Sequence, residues 1–358
     1  MTEGQPKDYD ALLAQAHAAY HALRLDEALT LYQAALDARP DDYDASLGMA
    51  RTLTRRRDQE GARVWAERCI ARDPDRFEGY AALGALYFLT DQFDEAISAL
   101  TEAVERAPDE PEPHLTLTQV YADLRRFDEA QEELERGRDG IRALTDDDYR
   151  RQMEAFAFHV ETYLRLGEGR DAEARESAQE VIAREADNPH AASLAFSNLG
   201  ILEARARRYD TAIEYLERAF AMNPSFNRAG GALGRILLVR NRNERAAEVL
   251  EQVLAITPES GSTRYVYGLA LARLKRRDEA REQFRLALQR GLRGPDRLMA
   301  RWQLIWQSRL GRQALIGVVL LAVLLWVLLG NPSPTALTFL VLLVVIIVLQ
   351  RTVGRRGR

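Results

Sequence analysis

The sequence predicts an all-α chain: a solenoid of about eight helix-turn-helix units, then a helical hairpin in a membrane. Three observations predict it. Prolines recur 34 residues apart at Pro40, Pro74 and Pro108, and again at Pro224 and Pro258. Small residues keep the same phase at Ala28, Ala62, Ala96, Ala130, Ala212, Ala246 and Ala280. Two apolar runs without a charge, 314–330 and 335–349, lie near the carboxy terminus.

Residues 1–8 are polar and are expected to be disordered. The units are expected to start near Tyr9, Tyr43, Phe77, Pro111, Tyr149, Ser193, Asn227 and Gly261. Each needs a small residue where its two helices cross, met by the in-phase alanines and by Gly84, Gly200, Gly234 and Gly268. Larger side chains, Tyr32, Tyr87, Tyr121 and Phe284, are expected to fill the gaps. A proline ends the second helix, because the residue before it is driven out of the helical region. A helix pair with one apolar side cannot bury it alone and must stack on its neighbours.

A 34-residue helix–turn–helix with these landmarks resembles the tetratricopeptide repeat family over roughly residues 9–291. The resemblance implies a right-handed solenoid whose first helices line a groove for a protein or peptide partner. Carried over by repeat phase, the groove residues are His17, Tyr20, His21, Arg51, Arg55, Phe88, Gln119, Arg205, Arg228, Arg235, Tyr265 and Arg273. Members that clamp a terminal carboxylate use a Lys/Asn/Arg set at such places. This chain lacks that set, which argues against chaperone-tail binding of that type.

Regular units cover 9–140, and three more cover 193–294. Between them, 141–192 is an irregular fifth unit, since Pro108 to Pro189 spans 81 residues. Gly137, Gly140 and the acidic run Asp146–Asp148 mark its start. Its second helix is expected to be long, from Asp171 to about Ala186, and a bend between two blocks is expected here, with a simple insertion as the alternative. Asp10, Asp44, Glu78 and Glu112 hold one place in the first four units. They read either as acids at helix N-termini or as an acidic stripe, set against groove arginines in the later units.

Catalysis, cofactors and metals find little support. His17 and His21 stand four apart, but Ala18 replaces the glutamate that a zinc-peptidase helix requires. The glycines of RAGGALGR (228–235) follow no strand and precede no Gly-Lys-Ser/Thr, so helix packing explains them. Cys69 is the single cysteine, which excludes an intrachain disulfide and fits a buried, inert thiol.

Charge separates the body from its tail. The chain carries −5 overall, but from Arg301 onward there are seven arginines and no acid. The acidic body argues against nucleic acid as a partner. Residues 295–312 are expected to form a capping or interfacial helix with Leu298, Met299, Trp302, Ile305, Trp306 and Leu310 along one stripe. Trp302, Trp306, Arg309 and Arg312, with Arg351, Arg355 and Arg356 in the basic tail 351–358, have the character of membrane-interface residues.

The run 314–330 spans roughly 25 Å as a helix. Asn331 to Pro334 breaks it before 335–349. The segment 313–350 is therefore expected to meet the lipid bilayer as a hairpin, with a re-entrant hairpin as the rival. Arginines flank its outer ends, which places both termini in the cytoplasm, and the amino-terminal 30 residues hold no signal-type apolar core. The expected protein is a non-enzymatic scaffold or adaptor at a bacterial cytoplasmic membrane. The alternative is an assembly factor or chaperone for a membrane protein complex.

Overall fold

The computed structural model describes residues 5–224, 227–307, 313 and 317, and these contain seventeen α-helices and no strand. The chain divides into two compact units, one holding residues 1–241 and the other most of the residues from 242 onward. Apart from Gly317, the hairpin runs 314–330 and 335–349, together with Arg309, Arg312, Arg351, Arg355 and Arg356, lie outside the described residues. Among the described residues no helix is long and apolar enough to cross a membrane.

The first unit is built of antiparallel pairs in chain order. They are α1 (Gln5–His21) with α2 (Leu25–Ala38), α3 (Tyr43–Arg56) with α4 (Gln59–Arg72), and α5 (Phe77–Leu89) with α6 (Phe93–Arg106). Then come α7 (Pro111–Asp123) with α8 (Phe127–Ala143), α9 (Asp147–Glu168) with α10 (Asp171–Ala183), and α11 (Pro189–Arg205) with α12 (Tyr209–Met222). Helix α13 (Asn227–Val239) packs on α12. In the second unit α14 (Asn243–Ile256) precedes α15 (Gly261–Arg273), which pairs with α16 (Arg277–Gln289); α17 (Gly294–Gln307) packs on α15 and α16.

The period of the sequence is the period of the packing. All seven in-phase alanines are at most 1% exposed. Opposite them the first helix must also be thin. A Cβ on Gly84 would lie 2.5 Å from Leu100, and one on Gly200 would lie 2.5 Å from Leu216. The Gly268 equivalent would strike Phe284 at 2.7 Å. These fully buried side chains rest directly on glycine backbone, so helix–helix separation is set by the missing methyl group.

Each turn between the helices of a pair repeats one geometry. Leu23, Arg57, Asp91, Arg125, Arg207, Asn241 and Lys275 all have φ between 57° and 66°, and Gly169 takes the place in the fifth pair. The next residue closes a six-residue Schellman ring, as in Asp58 N–H to the Leu53 carbonyl at 3.0 Å and Arg126 N–H to the Tyr121 carbonyl at 2.9 Å. That residue's own carbonyl then accepts the first bond of the second helix, as Arg126 does from Ala130. A left-handed conformation costs a non-glycine residue about 1 kcal/mol. Lys275→Gly is therefore expected to stabilise the second unit by about 0.5–1 kcal/mol, and Gly169→Ala to destabilise the first by a similar amount. Thermal melting of the two variants reads both signs.

Several expectations need correction. Helix α1 begins at Gln5, four residues before the expected start of the first unit at Tyr9. In the fifth pair the first helix is the long one, at 22 residues, whereas α10 has 13. The extra residues extend α9 and also α8, which runs unbroken through Gly137 and Gly140. Those glycines are close-approach points rather than breaks: a Cβ on Gly140 would lie 2.4 Å from the Asp109 carbonyl oxygen. Asp146 caps α9 by accepting from Tyr149 N–H. Pro189 opens α11 as its first residue behind the Asn188 cap; it does not close the helix before it. Packing is continuous through this part, with α9 against α7, α8, α10 and α11.

Helix α17 packs on α15 and α16 with Ala300 buried, and of its expected stripe Leu298, Met299 and Trp302 are 67%, 47% and 44% exposed. Trp302 stacks on Trp306 with ring centres 6.3 Å apart.

Candidate functional site

The first helices of the first unit contact one another in order, α1 to α3 to α5 to α7 to α9 to α11. They share one wall, and that wall encloses a cavity of about 210 Å³. Its lining comes from those helices alone. Tyr20 is from α1, Arg51, Thr54 and Arg55 from α3, and Ala82, Ala85, Phe88 and Leu89 from α5. Helix α7 gives Glu112, Thr116 and Gln119, α9 gives Met153 and Phe156, and the start of α11 gives Asn188, His190 and Leu194. The spacings are those of one helix face, for example 51, 54 and 55, or 112, 116 and 119.

Arg51 reaches from α3 to Glu112 on α7, Nη2 to Oε2 at 2.6 Å. Helix α5 stands between the two in the packing order. It presents Ala82 and Ala85 to the same cavity, and these short side chains leave the span open. Burial works against the Arg51 charge, and the Glu112 carboxylate more than offsets it, so its affinity for the proton is raised. The Arg51 Nε is buried without a hydrogen-bond partner.

Arg55 is held differently. Its guanidinium lies 3.8 Å from the Tyr20 ring centre, and Nη1 donates to the Tyr20 carbonyl at 3.2 Å. It makes no ion pair among the described residues, and burial lowers its pKa. His190, on the opposite wall, has a buried Nδ1 without a partner. Burial, and then the Arg55 charge, hold it well below the ordinary histidine range, so it is neutral. His159 behind the wall is pushed down to about 4 by burial and by Arg228. The cavity is therefore half apolar, with two guanidinium groups against one carboxylate.

The positions inferred from repeat phase scatter in three ways. Tyr20, Arg51, Arg55, Phe88 and Gln119 meet in the cavity. His17 and His21 are exposed on α1 beside it, next to the rings of Tyr32 and Tyr20. Arg205 is exposed 3.8 Å from Asp171, and Arg228 and Arg235 are exposed on α13. In the second unit Arg273 is exposed, but Tyr265 is a correction: it is 6% exposed and packs on Phe284 in the core.

The acidic stripe is also corrected. Asp44 and Glu78 both bind Arg76, at 3.2 and 2.6 Å, and Glu112 is taken by Arg51, so three of the four acids are neutralised. Repeat phase does not place Met153, Phe156, Asn188, His190 and Leu194 in the groove, where the structure puts them. They belong to the pairs where the 34-residue frame breaks, so phase could not place them.

Outside the cavity, the other conspicuous residues are structural. Cys69 is fully buried, and burial pushes its thiol up to about 12. Gly230, Gly231 and Gly234 are buried inside α13. His114 and Glu133 form a buried pair, Nδ1 to Oε2 at 2.6 Å, and His114 Nε2 faces the Pro108 carbonyl at 2.9 Å. Among the described residues no group of three or more His, Cys, Asp or Glu is placed to hold a metal ion.

A chain of stacked helix pairs with a groove along its first helices defines a class, the helical-repeat proteins that present a wall of side chains to a partner. Family models described as tetratricopeptide repeat match residues 19–87 and 87–142, and 197–261 and 232–295, together more than half of the sequence. The chain belongs to the tetratricopeptide repeat family. Such proteins generally mediate protein–protein interactions or scaffolding.

Among solved structures it is similar to the APC/C hetero-tetramer Cut9-Hcn1 at 15% identity and a TM-score of 0.62, covering 86% of this chain and 57% of that one. It is also similar to a tetratricopeptide repeat protein from Parabacteroides merdae, at 13% identity and a TM-score of 0.48, covering 74% of this chain and 99% of that one. A thermophilic protein of this kind from Thermus thermophilus matches at 25% identity and a TM-score of 0.43, covering 53% of this chain and 98% of that one. No curated protein sequence matches the chain.

Proposed function

We propose that this protein is a membrane-anchored scaffold that holds a segment of a partner protein in the groove of its first unit, at the cytoplasmic face of a bacterial inner membrane. The cavity carries the reading. Its walls come from the first helices of six successive pairs and contain a guanidinium group without a carboxylate partner among the described residues. Such a wall suits recognition without turnover.

The anchor rests on sequence: 313–350 holds two uncharged runs bracketed by arginines. The exposed Leu298, Met299 and Trp302 on α17 lie shortly before it in the chain and suit the membrane interface. Tethering raises the local concentration of whatever the groove holds near the bilayer.

Alkaline extraction of membranes tests the anchor. The full chain is expected to stay in the membrane pellet, and a chain ending at Gln307 to leave it. A single cysteine at Ser333 in a Cys69→Ala background should react with an impermeant reagent from outside, while one at the carboxy terminus should not. Full release of the intact chain by alkali contradicts the anchor. Replacing 313–350 by an unrelated anchor separates the two roles: retained activity supports the scaffold, and lost activity supports an assembly factor that touches client helices.

A further inference from the structure

We propose that the cavity of the first unit is a subsite for a side-chain carboxylate, an aspartate or glutamate within a partner's peptide segment, with bulky apolar neighbours of that residue seated against Phe88 and Phe156. This rests on the groove reading above and gives that site its chemistry.

Charge is the first ground. Arg51 and Arg55 face one carboxylate, Glu112, and Glu112 is bound to Arg51 at 2.6 Å. Arg55 is left without an ion pair among the described residues. Its position over the Tyr20 ring and its bond to the Tyr20 carbonyl hold the group in place. A guanidinium has five N–H donors in a planar fork, so a group held this way still offers an edge to a planar acceptor. A carboxylate fits that fork with two parallel bonds, which a neutral amide cannot match.

Unsatisfied polar atoms are the second ground. Arg51 Nε and His190 Nδ1 are both buried without partners. Leaving such atoms unpaired opposes folding, and a ligand that offers several acceptor sites offsets it.

Size and surroundings select the ligand class. A cavity of about 210 Å³ accepts a side chain or two rather than a folded element. One unpaired guanidinium and a neutral histidine match a single negative charge better than the double charge of a phosphate group. Phe88, Phe156, Met153 and Leu194 give the same cavity an apolar lining, so the acid sits among bulky apolar residues of the segment. No Lys/Asn/Arg set for a chain-terminal carboxylate is present, which places the acid within the segment.

The test is selection from a phage-displayed library of random peptide segments, embedded so that no free carboxy terminus is offered. The purified full chain in detergent is the bait. Enriched segments are expected to share one acidic position beside aromatic or aliphatic residues. A synthetic peptide of the enriched sequence, with blocked ends, should bind roughly 10- to 100-fold more tightly than its Glu→Gln or Asp→Asn counterpart. Arg55→Gln should erase that difference, and Arg55→Lys should keep an acidic preference, which separates lost charge from lost folding. Phe88→Ala should weaken the acidic and neutral peptides alike.

Enriched segments without an acidic preference, still weakened by Phe88→Ala, overturn the carboxylate subsite and leave the groove reading intact. An acidic preference that survives Arg55→Gln overturns it as well. Absence of any enrichment contradicts both the subsite and the groove.

Discussion

Replacing Glu133 by alanine is expected to destabilise the first unit by about 3 kcal/mol at neutral pH. His114 is 3% and Glu133 8% exposed, and the two touch at 2.6 Å. Both His114 ring nitrogens face acceptors, the Glu133 carboxylate and the Pro108 carbonyl, so both carry protons and the ring is an imidazolium. Burial opposes that charge, but the Glu133 and Pro108 bonds outweigh it despite the nearby Arg136, and the His114 pKa is raised above its ordinary 6.5.

Without Glu133 the ring sheds its proton instead of remaining as an uncompensated buried charge, which limits the loss at neutral pH. In mild acid the loss is greater. The sign for the native protein is set by the raised value: the contribution is complete below pH 6.5 and falls away as pH rises through the higher folded pKa. Urea denaturation across this range should show that decline in the native chain and not in Glu133→Ala. A variant with an unchanged midpoint, or with the same pH slope, contradicts the charged pair.

Phe284→Ala is the second large effect, expected to remove about 3–5 kcal/mol from the second unit. Phe284 is fully buried, rests on the backbone of Gly268 and meets the Tyr265 ring at 6.0 Å. The Gly268 backbone and the already buried Tyr265 ring cannot move in to fill the hole, so the cavity persists. Repeat units draw their stability from nearest neighbours, and the loss should appear as faster amide exchange in α15 and α16. Exchange there at the native rate contradicts this packing.

Which features the sequence records depends on what constrains them. The crossing of two helices in a pair tolerates only a small residue, so Ala28 through Ala280 repeat in phase and five of the eight first helices begin where the spacing predicts, at Tyr43, Phe77, Pro111, Asn227 and Gly261. The groove wall is under no such packing constraint. Arg51 and Arg55 could be placed by phase, because their unit is regular.

His190 and Phe156 could not be placed that way, because α9 and α11 begin out of frame and Pro189 serves as a helix start rather than a stop. Pairings between distant residues were equally hidden. Arg51 and Glu112 are 61 residues apart, and only the short side chains of α5 between them allow the contact. The acidic stripe was visible as spacing, but its neutralisation by Arg76 and Arg51 was not.

A partner protein is expected to lie against the first helices of the first unit. Site-specific photo-crosslinking in intact membranes tests it most directly, with the reactive residue placed at Ala85 in the cavity or at Val64, which is exposed on the second helix α4. One discrete adduct is expected from Ala85, lost when a peptide selected on the groove is added, and none from Val64. Adducts from Val64 alone, or equal adducts from both that the peptide leaves unchanged, would contradict it.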